Sequence, residues 1–140
     1  LADPGQRIDY PSLLDMDQPS IRAYPPVQVI AEKFQAVIAL GLANGRMKDF
    51  YDLWAIPQAM SLDEQALDDA LAATFARRAT PIPNERPPGL STAMAEDAAA
   101  QQRWRAYVES LDLAAPEFAG VLDDIWANIA PSCARLCNTR

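Results

Sequence analysis

Two short segments concentrate residue types suited to phosphate chemistry. Ile30-Ala31-Glu32-Lys33-Phe34-Gln35-Ala36 places a lysine among apolar neighbours, and Arg46-Met47-Lys48-Asp49-Phe50-Tyr51-Asp52-Leu53 is dense in charge. On a helix, Lys33 lies three residues after Ile30 and four before Val37, at the margin of an apolar stripe. Its ammonium either snorkels to water or points into a cleft. Arg46 and Asp49 are three residues apart and Lys48 and Asp52 four, so each pair can meet on a helix surface. Such pairs are either surface ion pairs, worth about a few tenths of a kcal/mol each, or a charged wall. In a wall, the cations receive polyphosphate and a carboxylate accepts the proton of an attacking hydroxyl. Arginine is the default cation of this chain, with ten arginines against two lysines, and the two lysines are Lys33 and Lys48. A lysine supplies the compact point charge that suits phosphate.

Other chemistries are excluded by composition. The chain has no histidine, which removes Ser-His triads, imidazole acid–base catalysis and His-rich metal sites. Cys133 and Cys137 share a helical face, but two thiols without further ligands do not make a zinc site, and they read as reduced thiols. With 12 basic against 19 acidic residues the net charge is −7, so the domain by itself lacks the basic excess usual in a nucleic-acid grip, although a local basic patch could serve a larger protein. Half of the 140 residues are hydrophobic and 22% are charged, ordinary for a globular domain with its own core. No apolar run approaches the roughly 20 residues of a membrane span, and residues 1–5 lack the basic start and apolar core of a secretory signal. The expectation is a cytoplasmic protein. A first residue of Leu1 rather than methionine is compatible with a longer parent protein.

The elements that must position the charged segments follow from pattern. Prolines at 4, 11 and 19 and the polar stretch 15–18 make residues 1–24 extended, with short strands possible at 7–10 and 21–24. Pro25-Pro26 opens a helix whose stripe is Val27, Ile30, Phe34, Val37, Ile38 and Gly41, closed by Asn44-Gly45. A second helix runs from about Arg46 to Ala55 with Phe50, Leu53 and Trp54 as its apolar side, which puts Asp49 on its polar side. Ser61-Leu62-Asp63-Glu64 reads as a capping box for a helix bearing Leu67, Leu71 and Phe75 and ending near Arg77-Arg78. Residues 79–96 carry four prolines and read as an extended surface crossover. Asp97 caps a helix with Trp104, Tyr107, Val108 and Leu111, and Pro116 starts a last one with Phe118, Val121, Leu122, Ile125, Trp126 and Ile129. Trp54, Trp104 and Trp126 all fall on apolar stripes and read as core, with an interface as the alternative. The expected fold is mainly α, a bundle of about five helices over 25–140, with one or two short strands before it.

The run Tyr24-Pro25-Pro26-Val27-Gln28-Val29-Ile30-Ala31-Glu32-Lys33-Phe34, followed by Gly45-Arg46-Met47-Lys48-Asp49-Phe50-Tyr51-Asp52-Leu53, resembles the AbiEii/AbiGii nucleotidyltransferase toxins. These are the toxin components of abortive-infection (phage-defence), type IV-like toxin–antitoxin systems. Their third motif is a lysine in an Ala-Glu-Lys-Leu-like helix, and their fourth is Arg-x-Lys-Asp-x-x-Asp-Leu. The chain keeps the fourth at Arg46, Lys48, Asp49, Asp52 and Leu53, and has Phe34 for the usual leucine of the third. The resemblance runs from about residue 7 to the last helix and is weaker beyond residue 80.

The resemblance implies a polymerase-β-like α/β nucleotidyltransferase core upstream of residues 1–24, bearing a Gly-Ser motif and metal-binding carboxylates that this chain does not contain. It implies that Lys33 contacts nucleotide phosphates, that Arg46 and Lys48 support phosphate or acceptor binding, that Asp49 is the candidate base and that Asp52 supports it. Magnesium and a nucleoside triphosphate such as GTP or CTP would be shared with that core, the acceptor would be RNA, notably tRNA ends, and a cognate antitoxin would be a partner. On this reading the chain by itself is an inactive helical part of a transferase. The alternative is a non-catalytic helical module that docks an antitoxin or another subunit.

Overall fold

The computed structural model describes residues 25–138. The strands expected at 7–10 and 21–24 lie outside them. Helix α1 spans Pro26–Leu40 behind an extended Pro25, with proline in the first turn, where its missing N–H costs nothing. α2 spans Met47–Ala59, α3 Glu64–Arg77, α4 Thr92–Glu96, α5 Ala98–Ser110 and α6 Phe118–Asn138, with 3₁₀ turns at Gly41–Ala43 and Pro88–Leu90. The described residues contain six helices and no strand, so the mainly α expectation holds with one helix more than anticipated.

Several local expectations are corrected. α1 stops at Gly41, not at Asn44-Gly45. Gly41 has φ +56°, and its N–H bonds to the Val37 carbonyl. Glycine takes a positive φ without the Cβ clash that other residues suffer, so it ends the helix first. α3 is capped by Asp63 rather than Ser61: its carboxylate accepts from the Ala66 N–H at 2.8 Å. The segment 79–96 is extended only in its first part. Its second part forms the 3₁₀ turn and α4, capped by Ser91, because Leu90 and Met94 are apolar enough to be drawn fully into the core. Asp97 does cap α5, accepting from the Ala100 N–H at 2.8 Å.

α1 packs on α3 and α2, and α6 lies across α2 and α3. The core is rich in aromatic edges. Phe34 meets Phe75 with ring centroids 5.7 Å apart, Phe50 meets Phe118 edge-on at 5.2 Å, and Trp104 meets Phe118 at 5.6 Å. Trp104 is buried, while Trp54 and Trp126 are half-buried against the core, so the core reading of the tryptophans holds in full for Trp104 alone. Trp54 directs its indole N–H to Asp124 at 3.0 Å, the usual arrangement of a half-buried ring with a polar handle.

By length and composition, Pro26–Ala43 is long and apolar enough to cross a membrane, with mean hydropathy 1.3 over 18 residues. It carries Glu32 and Lys33, and its face bearing Ile30, Phe34 and Val37 is buried against the neighbouring helices. α1 is a core helix of this domain.

Candidate functional site

α2 is nearly all apolar: Met47, Phe50, Tyr51, Leu53, Trp54, Ala55 and Ile56 leave it no broad polar side. Such a helix is buried on most faces. α1, α5 and α6 all pack on it. Its carboxylates are therefore carried inward with it. Asp49 and Asp52, three residues apart on one face, have side-chain exposures of 5% and 0%. The expected placement of Asp49 on an exposed polar face is thus wrong. The pairing of Arg46 with Asp49 across three residues holds, but as a bond to a buried carboxylate.

Buried carboxylates need compensation, since an unpaired charge in a low dielectric costs several kcal/mol. Lys33 supplies it. From the neighbouring α1 its Nζ lies 3.0 Å from Asp49 Oδ1 and 3.2 Å from Asp52 Oδ2, with a side-chain exposure of 19%. Of the two readings left open for Lys33, the structure selects the inward one. Arg46 closes the cluster from outside: its Nε is 3.2 Å from Asp49 Oδ2 while 63% of its side chain stays exposed. Asp49 sits in the first turn of α2, where the helix dipole also favours a negative charge.

The structure therefore brings Lys33, Arg46, Asp49 and Asp52 together. Asp52, expected to pair with Lys48, directs an oxygen at Lys33. Lys48 is half-buried on the same first turn of α2. One further residue was missed in sequence. Asn44 is fully buried, and its side-chain oxygen accepts the Arg46 N–H at 2.8 Å, which fixes the entry into α2. The signal was the Asn-Gly pair itself, because asparagine readily bonds the backbone two residues on. Tyr51, also buried, has its phenol pushed above its ordinary range by burial and, secondarily, by the Asp52 carboxylate.

The sequence that builds this cluster matches a known family over most of the chain: the model of the AbiEii nucleotidyl transferase toxin, type IV toxin–antitoxin system, matches residues 1–127. The chain belongs to that family. No curated protein and no solved structure shows significant similarity to it. Within the AbiEii match lie both charged segments and the helices α1 and α2 that join them.

A magnesium site among the described residues would need several oxygen ligands brought together. Nowhere among them do three acidic, cysteine or histidine side chains come together, and Asp49 and Asp52 each already face the Lys33 ammonium. Lys33 donates to Asp49 Oδ1 while Asp49 Oδ2 is buried without a hydrogen bond, and two carboxylates with an ammonium between them do not fit the all-oxygen shell that magnesium demands.

Proposed function

We propose that this AbiEii-family chain supplies the phosphate-handling half of a nucleotidyltransferase site. In the reaction, an acceptor hydroxyl oxygen attacks the α-phosphorus of a nucleoside triphosphate, the bond to pyrophosphate breaks, and the hydroxyl proton leaves to a base. Lys33 and Arg46 contact the phosphates, with Lys48 beside them. Asp52 holds Lys33 in place. Asp49, the carboxylate that both cations reach, accepts the proton. RNA, in particular tRNA, is the acceptor on this reading, and the setting is the cytoplasm. The Gly-Ser motif, the metal-binding carboxylates and magnesium would belong to the upstream core that the family resemblance implies.

The observation that carries the reading is the convergence of Lys33, Asp49 and Arg46, from two helices and the loop between them, on one partly open cluster. The test is transfer of radiolabelled GTP or CTP to tRNA by the complete protein and by its Lys33→Arg and Lys33→Gln variants. Lys33→Arg keeps a cation against the carboxylates and should fold. Both variants should lose transfer, by about 10²-fold or more for Lys33→Gln, since a positioned cation on transferring phosphate acts mainly in the transition state. A folded Lys33→Arg and Lys33→Gln pair with wild-type transfer would reject the site. If growth arrest also persisted without any transfer, the docking-module reading would replace it.

A further inference from the structure

We propose that Arg103, on α5, is a phosphate-positioning residue that extends the Lys33–Asp49–Arg46 cluster toward a second phosphate group. The inference rests on the reading of that cluster given above. It starts from Gly45, the residue before Arg46. A Cβ built on Gly45 would lie 3.4 Å from Arg103 Nε, 3.8 Å from its Cδ and 3.9 Å from its Cζ. With only hydrogens there, the guanidinium lies directly against the backbone of the loop that delivers Arg46. The backbones on both sides of this contact are held, while the Arg103 side chain itself is exposed. Asn44 fixes the loop through the Arg46 N–H at 2.8 Å. The α5 side is anchored by the next residue, Trp104, which is buried, lies tilted against Tyr51 of α2 with ring centroids 6.4 Å apart and donates to the Pro116 carbonyl at 3.1 Å.

Charge makes this placement informative. Among the described residues, Arg46, Arg77, Arg78, Arg86 and Arg135 each have a carboxylate partner. Arg103 and Arg105 have none, and of these Arg103 is the one laid against the candidate site. In a chain of net charge −7, carboxylates are not scarce. A guanidinium that lies against the loop delivering a second cation, and has no carboxylate of its own among the described residues, is open to an anion from outside. The planar fork of a guanidinium takes a phosphate through two parallel hydrogen bonds. The ligand chemistry is thus a phosphate group, carried either by the incoming nucleotide or by the backbone of a nucleic-acid acceptor.

Both sources are separable in the complete protein, using a fluorescent GTP analogue and a fluorescein-labelled single-stranded RNA of about 20 nucleotides as probes. Arg103→Gln should weaken one probe about tenfold, with Arg103→Lys recovering part of the loss because charge without the fork remains. Weaker RNA binding, with the salt slope reduced by about one, assigns the phosphate to the acceptor backbone. Weaker GTP-analogue binding at unchanged RNA affinity assigns it to the nucleotide. Unchanged binding of both probes by Arg103→Gln, while Lys33→Gln weakens either, leaves Arg103 a solvated surface residue and overturns the inference alone. No change in Lys33→Gln, or no binding of either probe by the wild-type protein, rejects the underlying site and the inference with it.

Discussion

Lys33 of α1 and Asp49 of α2, sixteen residues apart in sequence, meet at 3.0 Å with the carboxylate almost wholly buried. The contact ties two helices together and at the same time leaves the cation partly exposed. A buried charge that loses its partner is costly, whereas an ion pair in water is nearly neutral in worth. The burial of Asp49 and Asp52 therefore raises the stability at stake in this cluster well above that of a surface pair.

The Lys33→Met variant should lose about 3–5 kcal/mol of stability, because it leaves two buried carboxylates without their ammonium. Asp49→Asn should lose about 1–3 kcal/mol, since Lys33 keeps Asp52 but exchanges a charged hydrogen bond for a neutral one. Urea denaturation of both single variants and of the double variant measures this. The double variant should be less destabilised than the sum of the singles, as expected for residues in direct contact. Additive losses would contradict the pairing. Activity of Asp49→Asn must accordingly be normalised to its folded fraction before it bears on proton transfer.

Acid stability should depend on Asp68. Arg135 Nε lies 2.7 Å from Asp68 Oδ2, and the Arg135 hydrogen bond holds the Asp68 carboxyl below the usual carboxylate range, against the opposing effect of burial. A folded-state value below the unfolded one means stability that is present above the unfolded pKa and lost as pH falls through the folded value. The loss should set in below about pH 4, the ordinary carboxylate range. Thermal melts of wild type and Asp68→Asn between pH 7 and pH 2.5 check it. The gap between their midpoints should narrow steadily on acidification.

Alkali should act in the opposite sense through Cys133. Burial, with smaller contributions from Cys137 and Asp68, pushes its thiol up to about 12 from an ordinary 9.0. The unfolded thiol ionises first, so stability is full below about pH 9 and falls as pH rises toward 12. Tyr51, also raised, adds to the same alkaline loss. At pH 8 the native protein should leave Cys133 unmodified by iodoacetamide, with modification appearing once denaturant is added. Rapid native alkylation of Cys133, read by peptide mass spectrometry, would contradict its burial.

Gly89 should not tolerate a side chain. A Cβ there would come within 2.8 Å of both Val37 Cγ1 and the Val37 carbonyl oxygen. The carbonyl belongs to α1 and cannot swing aside as a flexible side chain would. Gly89→Ala should cost about 1–3 kcal/mol, the usual range for overpacking. Gly45→Ala, which meets only the movable end of Arg103, should cost clearly less. A comparison of denaturation midpoints decides between equal and unequal effects.

What the sequence determined by itself was whatever rests on neighbours within a few residues. Period placed Ile30, Phe34 and Val37, and also Leu67, Leu71 and Phe75, on buried stripes, and Asp97 marked a helix start, because caps and stripes depend on contacts three and four positions apart. The two charged segments and their family likeness were legible for the same reason. Where two signals competed locally, as Ser61 did with Asp63 and Gly41 with Asn44-Gly45, geometry chose the one nearest the last residue with helical dihedrals. The tertiary structure alone decided which way Asp49, Asp52 and Lys33 point. A single helix read in isolation shows a polar side wherever its charges fall, but α2 is enclosed by α1, α5 and α6, so its buried carboxylates turn to a partner on another helix, Lys33, as well as to the local Arg46. The placing of Arg103 against Gly45 has the same origin. Contacts between residues so far apart in the chain are fixed by how whole helices pack, and no local spacing encodes them.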